Sequence, residues 1–319
     1  MPGPGRRLPS LARHAATLAV VLLLGVGAAR GEPAPQLQLT GLSDTRLITN
    51  VGLSMPRIGF SCQAGTAQIR RYLDSAVEAA EEALQAYGHF NARIRASIRS
   101  REDCRDPALA IDAGPVTRIE AVDIDLPAAI GSLDAVDGYL VDNRPQKGEA
   151  LDQGAYDAFR DGLLARVQAQ GYLDARFTTR ALRVDPSART ARIRLVLDVG
   201  ERYRFGDVTV EQSVLEPALA RQLTGVPPGA PYTSADLLAM NQNLTGTPYF
   251  ESVAVRPHLD ERRGGEVPVT ITTRRNARTS YELRAGYATD VGPRVGAQVT
   301  RRYVNKRGHQ WAARTQLSA

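Results

Sequence analysis

The sequence contains few of the residues from which catalytic and metal sites are usually built. Among its 319 residues there are two cysteines, four histidines and one tryptophan, and aromatic side chains make up 6%. Two thiols and scattered histidines do not supply the four ligands of a structural zinc site. Nucleophile-elbow, phosphate-loop and zinc-protease motifs are also missing. The composition therefore argues against an enzyme and predicts neither a cofactor nor a metal.

Long hydrophobic runs are equally scarce, and the one present lies near the N-terminus. It extends from Ala15 to Val26, with Arg6, Arg7 and Arg13 before it and small residues after it. A membrane helix needs about 20 apolar residues, whereas a secretory signal peptide needs about 7 to 15 behind a basic head. Residues 1–30 are therefore interpreted as a signal peptide with an open cleavage position, and an N-terminal membrane anchor is the alternative.

The charge excess is small and unevenly distributed. The formal net charge is +6, but residues 1–30 carry four arginines and no acid. Residues 31–277 carry 28 basic and 32 acidic side chains, whereas residues 278–319 carry eight basic and two acidic ones. A nucleic-acid-binding protein usually has its basic surface on the folded domains. The pattern predicts no nucleic-acid partner and sets the last 42 residues apart.

The two cysteines suit an exported protein. Cys62 and Cys104 are 42 positions apart in the chain. Outside the cytoplasm such a pair is expected to form one disulfide bond, worth about 3 to 4 kcal/mol through the entropy of the unfolded chain. Free buried thiols are the alternative.

The chain contains an internal repeat of about 80 residues, the range in which repeated structural units are sought. The segment GHFNARI (Gly88–Ile94) returns as GYLDARF (Gly171–Phe177) and, more weakly, as TPYFESV (Thr247–Val253). A second motif, DAGP from Asp112, returns as DVGE from Asp198. These matches predict three copies of one structural unit.

Each copy has the same order of hydrophobic periods. Apolar residues spaced by three and four, such as Ile69, Leu73 and Ala76, predict a long helix before the Gly-aromatic motif, and alternation after it predicts a pair of strands. Short helices are expected near 44–53, 133–141 and 214–223. The predicted unit is strand, short helix, longer helix, strand, strand. It forms a two-layer α+β fold in which both helices cover one face and the second strand lies at a sheet edge.

The pattern changes after Ala277. Three segments of about ten residues, beginning near Tyr281, Pro293 and Trp311, carry apolar residues on one side and polar residues or glycine on the other. Such segments, joined by turns and with aromatic residues near their ends, are typical of a transmembrane β-barrel. A soluble β-meander is the alternative.

Together these features resemble the TamA family, the outer-membrane subunits of the translocation and assembly module of Gram-negative bacteria. The resemblance rests on the signal-peptide pattern, on three units with the motifs YGHF, QGYLDARF and TPYFESVAV, and above all on the string GYATDVGPR at 286–294. It implies three tandem polypeptide-transport-associated (POTRA) domains at 31–115, 116–200 and 201–277. It also implies the first strands of an antiparallel transmembrane β-barrel at 278–319.

The resemblance further implies a protein of the bacterial outer membrane that helps insert or translocate autotransporter-type β-barrel clients, with its POTRA domains in the periplasm. The implied partners are an inner-membrane-anchored TamB-like protein, unfolded outer-membrane protein clients and outer-membrane lipid. The residues after Ala277 suffice for about three strands, fewer than a closed barrel needs. The chain is therefore expected either to be a fragment or to end naturally at Ala319.

The candidate sites are strand edges, because an edge strand presents unpaired backbone groups to which another strand can add. The candidates on the second strands of the three units are Phe90, Ala92, Ile94, Ala175, Phe177, Thr179, Ser252, Val253 and Val255. The family forms its lateral seam with the first barrel strand, which implies a second candidate site at Tyr281, Leu283, Ala285 and Tyr287. Core or hairpin packing is the alternative role for each of these residues. A two-partner secretion transporter and a periplasmic POTRA scaffold without a complete barrel are the alternative functions.

Overall fold

The structure is a computed structural model that describes residues 34–102, 104–288 and 292–318. The predicted signal peptide lies outside the described residues. The chain divides into two compact parts. The first holds the described residues up to 124 together with 144–159 and 180–195, and the second holds the others.

The first repeat folds in the predicted order of strand, helix, helix, strand, strand. Its elements are β1 (Gln38–Thr40), α1 (Thr45–Ser54), α2 (Thr66–Gln85), β2 (Arg93–Arg101) and β3 (Cys104–Asp112). β1 pairs with β3 in parallel and β2 pairs with β3 antiparallel, so the strand order is β1-β3-β2. The last strand of the repeat is therefore central and the second strand lies at an edge.

The helices of this repeat pack on the sheet through one hydrophobic core. Ile69 and Leu73 of α2 are buried with Val51 of α1 and with Leu109 and Ile111 of β3. The spacing of three and four residues along α2 brings its apolar side chains onto the face that meets the sheet. The two-layer α+β prediction is confirmed here. No helix in the described part of the chain combines the length and the apolar character needed to span a membrane.

The second repeat contains β4 (Arg118–Asp125), α3 (Ala128–Gly131), α4 (Asp134–Asn143), α5 (Gln153–Ala169), β5 (Arg176–Asp185) and β6 (Thr190–Asp198). Its strand order is β4-β6-β5, which matches the first repeat. α4 occupies the place of the predicted short helix, and α3 adds one short turn that the periodicity does not predict. The second strand again lies at a sheet edge.

The third repeat contains β7 (Arg204–Glu211), α6 (Pro217–Gln222), α7 (Ser234–Thr245), β8 (Phe250–Pro257), a 3-10 turn at Leu259–Glu261 and β9 (Glu266–Arg275). The order is β7-β9-β8, with β7 parallel and β8 antiparallel to β9. The N-terminus of α7 is capped by Thr233, whose hydroxyl accepts a hydrogen bond from the Asp236 N–H at 3.0 Å and donates one to the Asp236 carboxylate at 2.7 Å.

The last strands form a separate antiparallel sheet. β10 (Thr279–Ala288), β11 (Gly292–Arg301) and β12 (Trp311–Ser318) pair in the order β10-β11-β12, in continuous register. β10 therefore lies at the edge of this sheet. The predicted domain limits near residues 115, 200 and 277 fall in the connections after β3, β6 and β9, and they remain predictions.

Candidate functional site

The second strand of each repeat ends a three-stranded sheet. β2, β5 and β8 each pair with one strand, and within the described chain no strand pairs with their other side. The first strands, β1, β4 and β7, form the opposite edges, which the sequence-based prediction did not consider. The edges at β4 and β7 are partly covered, because Arg118 forms a bridge with Ala150 and Arg204 forms one with Pro231.

Two of the residues predicted on the first edge lie outside the strand. Phe90 is in a turn and Ala92 directly precedes β2, whereas Ile94 is the second residue of β2. The prediction of a strand from Phe90 was wrong, because Gly88 has φ +81° and the segment after it turns before pairing begins at Arg93. Ala92 and Ile94 both pack against the core of the first repeat.

The residues predicted on the other two edges lie mainly in their strands. Ala175 is buried and directly precedes β5, so the prediction that it lies in this strand was also wrong. Phe177 and Thr179 lie within β5 and are half-buried. The predicted edge residues Ser252, Val253 and Val255 lie within β8. Val253 and Val255 pack against the core of the third repeat, while Ser252 is exposed.

The edges differ in regularity. β2 pairs with β3 without interruption from Arg93 opposite Asp112 to Arg101 opposite Cys104. The register of β8 shifts between Phe250 and Ser252, and that of β7 shifts between Phe205 and Val208. A bulge twists an edge and hinders strand addition. β2 is therefore a long and regular edge.

The end of the β2–β3 hairpin is held by a disulfide bond and a buried carboxylate. The disulfide joins Cys62 to Cys104. The fully buried Asp106 accepts hydrogen bonds from the Gln36 N–H at 3.0 Å and from Arg101 Nε at 2.9 Å. Burial raises the pKa of the Asp106 carboxyl, but the hydrogen bonds from Arg101 and Gln36 outweigh burial and hold this pKa below its ordinary value. The carboxylate therefore ties the segment before β1 to the hairpin.

The repeated Gly-aromatic motifs form joints between successive repeats. At the first joint the Gly88 carbonyl accepts from the Thr117 N–H at 2.8 Å, and the Thr117 carbonyl accepts from the Leu151 N–H at 2.9 Å. The Asn91 side-chain amide donates to the Pro186 carbonyl at 2.8 Å, in the turn between β5 and β6. A side chain at Gly88 would crowd the Leu151 backbone, which explains the glycine.

The second joint repeats this arrangement with the equivalent residues. The Gly171 carbonyl accepts from the Tyr203 N–H at 2.8 Å, and the Tyr203 carbonyl accepts from the Tyr232 N–H at 2.9 Å. Asp174, the counterpart of Asn91, accepts from the Tyr203 hydroxyl at 2.8 Å and from Arg262 at 3.0 Å. The sequence repeat was visible, but its role as a joint was missed because the partners lie about 30 to 90 positions away.

The turn between β11 and β12 docks on the third repeat. The Tyr249 hydroxyl, in the third copy of the motif, donates to the Gly308 carbonyl at 2.7 Å, and the Glu216 N–H donates to the Lys306 carbonyl at 2.9 Å. Tyr303 packs against the core of the third repeat. The third copy of the motif therefore anchors the terminal sheet.

The terminal sheet exposes an apolar face. The predicted seam residues Tyr281, Leu283 and Tyr287 lie on β10 with 77%, 85% and 75% of their surface exposed, and Ala285 is exposed between them. The opposite face is polar, with Glu282 on β10. Such a face on a soluble monomer would be unusual, because exposed apolar patches generally mark a contact with another protein or with a membrane.

The described residues contain no group of three or more His, Cys, Asp or Glu side chains placed to hold a metal ion. The polar clusters described above are backbone joints, ion pairs and caps. The candidate sites that the structure describes are therefore strand edges and an exposed apolar face.

Comparison with protein-family models identifies the first repeat. Residues 36–113 match the model described as POTRA domain, TamA domain 1. The match covers β1 through β3, and the second and third repeats have the same element and strand order. The fold is thus α+β with POTRA-like domains followed by a strand-rich C-terminal region.

Comparison with solved structures finds similar proteins at low identity. BamA from Haemophilus ducreyi lacking POTRA domains 1–3 has a TM-score of 0.48 and 14% identity, covering 62% of this chain and 36% of that one. BamA POTRA domains 3–5 from Haemophilus influenzae have a TM-score of 0.40 and 17% identity, covering 76% and 95%. CdiB from Escherichia coli has a TM-score of 0.36 and 14% identity, covering 64% and 36%. The chain spans about a third of the H. ducreyi BamA and CdiB chains.

Proposed function

We propose that this chain is part of an outer-membrane protein assembly or secretion factor of the TamA type. In this proposal residues 31–277 form three POTRA domains in the periplasm, and β10–β12 belong to a β-barrel in the outer membrane. Its clients are unfolded autotransporter-type β-barrel proteins, its partner is an inner-membrane-anchored TamB-like protein, and outer-membrane lipid covers the apolar face of β10–β12.

One observation carries this proposal: the same free edge strand occurs in three successive sheets, ahead of a sheet that exposes an apolar face. The family match of residues 36–113 supports the POTRA identity of the first of these sheets. Three tandem edges suit a protein that receives extended chains, and an exposed row of Tyr281, Leu283 and Tyr287 suits contact with lipid.

The proposed mechanism is strand addition. An unfolded client contributes a segment whose N–H and C=O groups pair with the unpaired backbone of β2, β5 or β8, while side chains at alternate positions set a modest preference. Backbone pairing needs no nucleotide. The joints at Gly88 and Gly171 connect successive repeats by backbone hydrogen bonds.

The second step of the proposed mechanism uses β10. Its free edge in the order β10-β11-β12 serves as the lateral seam at which a client strand pairs during insertion. Within lipid an unpaired backbone group costs several kcal/mol, so a client strand that pairs with β10 is strongly favoured there. Tyr281, Leu283, Ala285 and Tyr287 line this seam on its apolar face.

Site-specific photo-crosslinking in a Gram-negative cell tests the proposal. A photoreactive amino acid is placed at Ser97 of β2, Thr178 of β5 or Leu283 of β10, which are exposed edge positions, and at Val141 of α4 as an exposed control. An autotransporter β-domain is then synthesised in a pulse. We expect client adducts at Ser97, Thr178 and Leu283 at several times the yield at Val141. Equal yields at all positions, or adducts at Val141 alone, would refute edge docking.

A further inference from the structure

The outward face of β2 carries a row of arginines. Successive strand residues point to opposite faces, and Ile94 and Ile98 of β2 pack against the hydrophobic core. The intervening Arg93, Arg95 and Arg99 therefore point away from the helices, and all three are exposed. They stand on the regular edge strand described above, nine residues long.

These arginines have no acidic partner among the described residues. None of the three forms an ion pair with any residue that the structure describes. Asp112 stands opposite Arg93, but its carboxylate accepts from the Gly114 N–H at 3.0 Å. Asp106 stands opposite Arg99 but is buried and bound to Arg101.

In the other repeats, two sheet arginines form ion pairs with acids on a neighbouring strand. On β5, Arg176 binds Asp198 of β6 at 2.8 Å. On β9, Arg274 binds Glu251 of the edge strand β8, also at 2.8 Å. Arg180 and Arg183 of β5 and Arg256 of β8 also form no ion pair with a described residue, so β2 differs in carrying three such arginines on one face of a single strand.

The spacing of these arginines fits a strand with alternating acidic residues. Alternate residues on one strand are about 6.6 to 6.8 Å apart, and residues directly opposite on a paired strand have Cβ atoms about 4.5 to 5.5 Å apart. A carboxylate on every second residue of an added strand would thus stand beside Arg93, Arg95 or Arg99. An arginine can bind a carboxylate with two parallel hydrogen bonds, so the pairing also favours one register.

We propose that the β2 edge binds an extended protein segment with Asp or Glu at alternate positions, which adds as a fourth strand next to β2. The inference rests on the proposed function, in that it takes strand addition as the binding mode and names the chemistry that this edge selects. The occupant is a partner chain, because the charge of the edge is complementary to acidic side chains and its regular backbone is free to pair.

The test measures binding of three labelled nine-residue peptides to the purified full chain in detergent by fluorescence anisotropy. The first alternates Val and Glu, the second alternates Val and Thr, and the third is the Val/Glu peptide with backbone N-methylation at alternate residues to block pairing. We expect the Val/Glu peptide to bind about tenfold more tightly than the other two, and added salt to weaken it because exposed charges are screened.

The variant that tests the site carries Arg95→Glu and Arg99→Glu. Its control carries Arg180→Glu and Arg183→Glu at two exposed residues of β5, which changes the net charge by the same amount. We expect about a tenfold loss of Val/Glu affinity in the β2 variant and less than a twofold loss in the control. Circular dichroism confirms that both variants are folded.

The outcomes separate this inference from the proposed function. If the Val/Thr and Val/Glu peptides bind equally well, strand addition stands and acidic selection is refuted. If the N-methylated peptide binds as well as its parent, the edge is a site for polyanions and the inference is refuted. If no peptide binds, edge docking itself is refuted at β2, and the arginines serve to keep the edge from aggregating. Equal losses in the two variants would also overturn the assignment to β2.

Discussion

The joint between the second and third repeats predicts a large effect for Gly171→Ala. Gly171 has φ +96°, a backbone conformation that residues other than glycine rarely adopt. A Cβ at this position would overlap the backbone carbonyl oxygen of Tyr232. The Tyr232 backbone cannot move away easily, because its N–H donates a hydrogen bond to the Tyr203 carbonyl at 2.9 Å. The substitution should therefore open the joint.

The magnitude follows from two contributions. The left-handed conformation costs an alanine about 1 to 2 kcal/mol, and forcing extra atoms into a packed contact costs about another 1 to 3 kcal/mol. Gly229→Ala is the matched control, because Gly229 has φ +71° but no atom within 4 Å of the added Cβ. Only the second contribution should separate the two variants.

Hydrogen exchange measures this difference at the amides that close the joint. Relative to Gly229→Ala, exchange of the Tyr203 and Tyr232 N–H groups in Gly171→Ala should be about 5 to 150 times faster, at 1.4 kcal/mol for each factor of ten. Exchange at Leu151, in the first joint, should not change. The reasoning fails if both variants accelerate exchange equally, or if Leu151 responds as strongly as Tyr203.

The remaining predictions concern the first repeat. Replacing both Cys62 and Cys104 by serine should lower the free energy of unfolding of this repeat by about 4 kcal/mol, because the disulfide bond closes a loop of 42 residues. The urea midpoint of this repeat, measured by hydrogen exchange of its amides, should fall accordingly. An unchanged midpoint would contradict this prediction. Because the pKa of Asp106 is lowered from its ordinary value of 3.8, ionised Asp106 stabilises the fold at pH values above 3.8. This stabilisation is lost as the pH falls through the lowered pKa. Asp106→Asn should therefore be less stable than the parent at pH 7 and should lose less stability between pH 5 and 2, whereas parallel stability–pH curves would refute the role of this carboxylate.

The local sequence pattern was sufficient to predict most of the secondary structure. The helix periodicity around Ile69 and Leu73 gave α2 correctly, because packing on one sheet face requires the apolar spacing seen in the sequence. The strand order also followed, since a hairpin and a helical crossover leave the second strand at an edge. The first residues of the strands were harder to predict. The alternation of apolar and polar residues near Phe90 and Ala92 continues into a turn, and pairing begins only at Arg93, after the left-handed backbone at Gly88.

Other features depend on residues far apart in the chain. The Gly-aromatic motif was recognised as a repeat, but its contacts with Thr117 and Tyr203 could not be predicted, because they form only when consecutive repeats meet. The arginines of β2 are visible as residues in the sequence. That they have no acidic partner among the described residues cannot be read from the sequence, because it depends on which side chains of β3 face them and on the ion pair between Asp106 and Arg101.

The sequence by itself determined the repeat, the two-layer α+β unit and the change to alternating strands after Ala277, because each of these follows from the spacing of apolar side chains along the chain. The tertiary structure alone decided which edge is regular, which charges are neutralised and which glycines touch the next repeat. These are properties of cross-strand register and of contacts between repeats, and both are set by residues that the sequence places tens of positions apart.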